Sequence, residues 1–489
     1  MCHPRSLLLI RSHFPAREIN YTKFLIHIIT NIRLDLSELT HWQCDMNATV
    51  CPAIRLRSHL SHQRRDTMPK NVIVAQSGGP SPVINNSLRG VIEGCRASPD
   101  TYGCILGGWH GIEGILKEEL IDLSCQPQRE IELLATTPSA GAIGTCRYKI
   151  KDQGSPDVQR ALDVFAAHEV GYFFYIGGND SMDTAYKLSD VAATQGMQLI
   201  CTGVPKTIDN DIGDQEFTLI DHTPGYGSVA RYWACMAQNM NEENAGFAPA
   251  GPALVMQAMG RTAGFIPASV RLADPDRQWP MHIYTSESGL NLDDLTDLVN
   301  DEIRKSNRCL VVVSEGFDVG DVGAVRDTFG HIEYSASRTT VAQVVLNHLH
   351  DVGLAGRGWA QLQVPGCDQR STSVFASTVD LDEAFKVGRH ATEIARIDGS
   401  GWMSTILRDP GEVYRARFDK VPLMEVANHS RRLPESWISE NRVDVTDAFT
   451  DYARPLIGDE WAPIVLENGL QRFARIEHRF VDKKCEPYV

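Results

Sequence analysis

The sequence predicts an α/β fold of the doubly wound type, and three observations predict it. Residues 172–176 and 198–204 are short apolar runs that stop abruptly, the first at Gly177-Gly178-Asn179-Asp180 and the second at Pro205-Lys206. Buried parallel strands end in this way at the carboxyl edge of a sheet. A segment of helical period joins the two runs, and strand, helix, strand in that rhythm is a right-handed crossover. The same rhythm returns further on, from a strand at 253–257 to one at 309–314.

Each element follows in order. A strand at 72–75 runs into Ser77-Gly78-Gly79-Pro80, and 83–95 then has apolar residues at helical spacing. Two further glycine-rich loops lie at 107–111 and 139–147, the second ending in Arg147. Ser155 as cap and Pro156 in the first turn open a helix. It feeds the strand at 172–176, then a helix at 181–195 and the strand at 198–204. A second region has a helix at 226–241 and loops at Met259-Gly260-Arg261, Ser314-Glu315-Gly316 and 364–370. Residues 381–396 have an amphipathic helical pattern, and 402–407 with 414–418 flank Asp409-Pro410-Gly411 as a hairpin. The last sixty residues carry no clear period. The expected division is a leader at 1–67, an α/β domain at 68–212, a second at 213–390, and a helix-and-hairpin extension at 391–489.

Composition bounds the function. The chain has 489 residues, 43% hydrophobic and 22% charged, which suits a globular protein of two or three domains. A formal net charge of -15 argues against a nucleic-acid surface, so a phosphorylated ligand must meet a local positive cluster. The 12 cysteines form no Cys-x-x-Cys pair, which suggests neither a disulfide framework nor a zinc site and points to a reducing, cytoplasmic setting. No apolar run approaches the roughly 18 residues of a membrane span. The leader is rich in Arg and His and precedes a strand that starts directly behind Met68. It is expected to be disordered or an over-extended start rather than a targeting peptide.

The chemistry concentrates in Lys206-Thr207-Ile208-Asp209-Asn210-Asp211. A carboxylate beside a lysine stays ionised at neutral pH and can take a proton from a hydroxyl attacking phosphorus, while the lysine spreads charge on the transferring group. Each signal has an ordinary reading. A glycine turn is needed in any doubly wound fold, Arg147 alone is a solvated arginine, and Asp-Asn-Asp alone is more often a calcium or turn element. Their company at the strand ends of one protein favours the chemical reading.

Ser77-Gly78-Gly79-Pro80, residues 141–147, Gly177-Gly178-Asn179-Asp180-Ser181, residues 205–211, Met259-Gly260-Arg261, Ser314-Glu315-Gly316 and Gln369-Arg370 occur in the order and spacing of the phosphofructokinases, which the chain resembles over roughly 70–400. The resemblance implies two doubly wound, Rossmann-like domains with the active site in the cleft between them, Mg²⁺ as cofactor, a homo-oligomer, and phosphorylation of the 1-hydroxyl of fructose 6-phosphate. Asp180 and Lys206 are as in the pyrophosphate-dependent branch, Asp180 filling the space an α-phosphate needs. The resemblance further implies Asp209 as proton acceptor and Asn179 at the metal. Gly79 and Arg147 would meet the donor, and Thr207, Ile208, Met259, Gly260, Arg261, Glu315, Cys367 and Arg370 the sugar phosphate.

Departures qualify it. Asn179 stands where the family has Asp, and Pro252 and Gln361 stand where arginines bind the sugar phosphate. Arg338 or Arg357 would then have to serve, or the acceptor is sedoheptulose 7-phosphate. An ATP-dependent enzyme and a non-catalytic regulatory subunit are the remaining alternatives.

Overall fold

The computed structural model describes residues 68–488 apart from 328, 329, 331 and 428. The expected leader, 1–67, lies outside the described residues. In chain order the strands of the two larger sheets are β1 Lys70–Gln76, β2 Tyr102–Gly108, β3 Leu120–Asp122, β4 Val170–Gly177, β5 Ile200–Pro205, β6 Ala253–Ala258, β7 Met281–Tyr284, β8 Cys309–Ser314, β9 Ala360–Gln363, β10 Trp402–Arg408 and β11 Ala416–Pro422. They form a seven-stranded sheet, β11-β10-β5-β4-β1-β2-β3, and a four-stranded sheet, β7-β8-β6-β9. The four-stranded sheet is wholly parallel. In the larger one only β3 and β11 run antiparallel to their neighbours.

Strand β4 shows why this chain builds such a sheet. Phe173, Phe174, Tyr175 and Ile176 are all fully buried, so both faces of the strand are covered, as in a central parallel strand packed between helices. Its register places the ligand edge. Gln76 lies opposite Ile176 and Gly177 opposite Pro205, so the loops leaving β1, β4 and β5 emerge side by side. In the second sheet Ala258 lies opposite Ser314, and the Glu315 N–H donates to the Ala258 carbonyl at 2.8 Å. That brings the Met259-Gly260-Arg261 loop against Glu315.

The expected hairpin forms as β10 and β11, but the domain division at 390 does not follow the sheets. Strand β10 joins β5, pairing Met403 with Gly203. Helix Thr378–Ile397, which the sequence division split across its boundary, packs against helix Ile84–Arg96 of the larger sheet. The two helices approach at glycines: a Cβ at Gly90 would lie 2.1 Å from the Phe385 carbonyl oxygen, and one at Gly388 would lie 2.2 Å from that of Ser87. Periodicity marked the helix, and the glycines on both faces chose its partner. Strands β2, β3, β7 and β9 were not anticipated, and β2 takes in Gly107 and Gly108 of the loop expected at 107–111.

Candidate active site

Three loops of the larger sheet build one wall. Gly78, at φ 77°, turns the chain after β1, and its N–H donates to the Cys146 carbonyl at 2.9 Å. The next carbonyl, of Gly79, accepts from Lys206 Nζ at 2.6 Å. Gly79 has little room, since a Cβ there would lie 2.9 Å from Arg370 Nη1 and 3.6 Å from Arg147 Nη2. After β4 the chain enters helix Asn179–Thr194, whose N-terminal end favours an anion. Asn179 and Asp180 stand in that first turn, with Asp180 Oδ1 2.7 Å from Lys149 Nζ. After β5 comes the Lys206–Asp211 loop, in which Asn210 adopts φ 57°.

The second sheet faces these loops across a cavity of about 270 Å³. Gly79, Arg147, Asn179, Asp180, Lys206, Thr207, Ile208, Asp209, Met259, Arg261, Glu315 and Arg370 all line it. Two expected residues do not. Gly260 contributes its N–H, at 3.2 Å from Glu315 Oε1, and Cys367 is exposed, its Sγ 3.6 Å from Arg370 Nη2. Pro252, Gln361, Arg338 and Arg357 do not line the cavity either. Arg370, expected on the sugar phosphate, lines the cavity and also lies close to the donor-side Gly79.

The ion pairing differs from the sequence expectation. The cation on Asp209 is Arg261: its Nε lies 2.9 Å from Asp209 Oδ2 and its Nη2 lies 3.0 Å from Asp211 Oδ2. Burial alone would weaken the guanidinium's hold on its proton, but Asp209 and then Asp211 outweigh it and raise the Arg261 pKa. Burial pushes the Asp211 carboxyl up, against the lowering effect of Arg261. Lys206 is 3% exposed, and burial, reinforced by the nearby Arg147 charge, brings its pKa down to about 7. Glu315 is pushed up to about 7 by burial and by Asp209, although the N–H groups of Gly260 and Arg261 both donate to Oε1. Arg147 pairs with Asp327 at 2.6 Å and with Glu333 at 3.1 Å, so an incoming phosphate competes with these carboxylates.

The tail supplies residues that sequence reasoning missed. Arg431 is 1% exposed, and its guanidinium donates to the Asn210 carbonyl at 2.8 Å, to Asn210 Oδ1 at 2.7 Å, and to the carbonyls of Ile220 and Asp221. Its own N–H reaches the Asp211 carbonyl at 2.9 Å, and Ser430 beside it lines the cavity. Arg431 therefore holds the carboxylate loop in its left-handed turn. Arg431→Met leaves these acceptors unpaired and is expected to cost about 3 kcal/mol or more of stability, read by chemical denaturation, against a much smaller loss for Arg432→Met. Nothing local in the sequence marks Arg431. Lys149 did carry a signal, because in an extended segment it shares a side with Arg147, two residues earlier.

Mg²⁺ fits the first turn of helix Asn179–Thr194. Asn179 Oδ1 is buried with no hydrogen-bond partner among the described residues, and the Asp180 carboxylate follows it. Among the described residues no group of three or more His, Cys, Asp or Glu side chains could hold a metal. One or two protein oxygens completed by substrate phosphates is the usual pattern for Mg²⁺. No helix among the described residues is long and apolar enough to cross a membrane.

A family model described as Phosphofructokinase matches residues 71–394. The pyrophosphate--fructose 6-phosphate 1-phosphotransferase of Halomonas elongata is 36% identical over 428 residues, covering 86% of this chain and 99% of that protein. Two crystal structures of pyrophosphate-dependent phosphofructokinases are similar. That from Marinobacter aquaeolei has a TM-score of 0.75 at 35% identity, covering 86% of this chain and 99% of that one. That from Nitrosospira multiformis has 0.76 at 34%, covering 86% and 100%.

Proposed function

The chain belongs to the phosphofructokinase family, and from that premise we propose that it reversibly transfers a phosphoryl group from pyrophosphate to the 1-hydroxyl of fructose 6-phosphate, giving fructose 1,6-bisphosphate and phosphate. The observation that carries the choice of donor is that Asp180 and Lys206 line one cavity, from the adjacent ends of β4 and β5. Asp180 takes the space and the charge of an α-phosphate, and Lys206 offers a cation to the pyrophosphate oxygens.

In the forward direction Asp209 accepts the proton of the sugar hydroxyl as its oxygen bonds to phosphorus and the bridging P–O bond breaks, releasing phosphate. Lys206 and Arg147 bear on the donor oxygens, and Gly79 lets the donor approach bare backbone. Glu315, with Oε1 taken by backbone N–H groups, turns Oε2 to the sugar. Thr207, Met259 and Arg370 complete its surroundings. Asn179 and Asp180 would hold Mg²⁺, which would supply neutralising charge there. The reading also assigns the enzyme to the cytoplasm, as a homo-oligomer.

Purified protein with fructose 6-phosphate and Mg²⁺ is expected to turn over with pyrophosphate and not with ATP. Turnover with ATP alone overturns the donor assignment. A higher kcat/KM for sedoheptulose 7-phosphate, which Pro252 and Gln361 in place of phosphate-binding arginines allow, changes the acceptor.

Lys206 also sets a pH dependence. Its pKa is lowered in the folded protein, so it loses its proton as pH rises through about 7. The kcat/KM for pyrophosphate, which reports the free enzyme, is expected to fall above that pH. The anionic donor favours the charged lysine, so the corresponding limb of kcat lies at higher pH. A flat kcat/KM up to pH 9 would contradict this role.

A further inference from the structure

We propose that Lys149 is a donor-specificity residue that acts through Asp180, holding that carboxylate in place and offsetting its charge so that pyrophosphate is admitted where a nucleoside α-phosphate is not. The inference rests on the pyrophosphate reading above. Asp180 raises a difficulty for that reading, because a carboxylate that excludes an α-phosphate by its bulk also repels pyrophosphate by its charge. The structure places a counter-charge on it: Lys149 Nζ lies 2.7 Å from Asp180 Oδ1, and both residues line the cavity.

The segment that carries Lys149 is tied down on both sides. The carbonyls of Ile150 and Lys151 accept from Lys187 Nζ at 2.9 and 3.1 Å. Lys187 in turn pairs with Asp183 on the helix that begins at Asn179. The Tyr148 hydroxyl donates to Asp157 at 2.7 Å, on helix Pro156–Ala167. The Lys149 and Asp180 side chains are 28% and 19% exposed, so the pair is partly buried yet open to the cavity. Its position on the cavity wall suits it to the donor more than to the fold.

The test is a double-mutant cycle read by steady-state kinetics and by calorimetric titration with methylenediphosphonate, a pyrophosphate mimic that cannot transfer. Lys149→Met is expected to raise the KM for pyrophosphate and the Kd of the mimic by about tenfold or more, about 1.4 kcal/mol. The KM for fructose 6-phosphate should stay within about twofold, and Lys149→Arg should recover most of the loss. In an Asp180→Asn background the same substitution should change pyrophosphate binding less than about threefold, since the charge it offsets is gone. An unchanged KM for pyrophosphate in Lys149→Met overturns the proposal. So does an equal loss in the Asp180→Asn background, which would mean that Lys149 acts without Asp180, and so does a parallel rise in both KM values, which would mean a deformed cavity. Wild-type turnover is the separate control: if pyrophosphate supports none, the donor reading fails before Lys149 is tested.

Discussion

Asp209→Asn is expected to lower kcat by about 10³-fold while leaving the Kd of fructose 6-phosphate within about twofold, in the range of general-base catalysis. The substitution is close to isosteric, and an amide oxygen can still accept from Arg261 Nε, which lies 2.9 Å from the present carboxylate. The Asp209 N–H keeps its bond to Thr207 Oγ1 at 3.1 Å. The loop is therefore retained and only the proton acceptor is lost. Asp211→Asn is the comparison that matters, because Asp211 shares Arg261 and is itself buried. A small effect at Asp209 with a large one at Asp211 would move the base two residues along the loop.

The second large effect is expected at Lys206. Lys206→Met removes a buried cation that donates to the Gly79 carbonyl and should reduce kcat with pyrophosphate by about 10²- to 10³-fold, the usual loss for a donor aimed at developing charge. It should not admit ATP, because Asp180 still occupies the cavity wall. ATP turnover is expected only when Asp180→Gly is added. Measuring both donors with the single and the double variant separates the electrostatic part of donor choice from the steric part, and ATP turnover in the single variant would refute the steric part.

The strand ends were legible because their signal is local. An apolar run such as 172–176 that stops at glycine and acid reports both its burial and its exit, and the expected helices at 83–95 and 181–195 formed within two residues of their expected bounds, while that at 226–241 runs on to Phe247. Twelve of the fourteen expected site residues meet in one cavity for the same reason: each stands just beyond a strand of one parallel edge or in the loop facing it. Cys367 was misplaced because nothing in the run 364–370 says which of its residues turns inward.

By itself, then, the sequence determined that this chain makes parallel α/β layers, which loops carry its chemistry and which family it resembles, since period and motif act over tens of residues at most. Only the tertiary structure decided who pairs with whom. It gave Asp209 to Arg261 rather than Lys206, and Asp180 to Lys149. It sent helix Thr378–Ile397 and β10 back to the first sheet and put Arg431 behind Asn210. The physical reason is that burial decides which charges must be neutralised and which carbonyls must be capped. The partners that do so come from wherever the chain happens to return, about 50 residues away for Arg261 and more than 200 for Arg431.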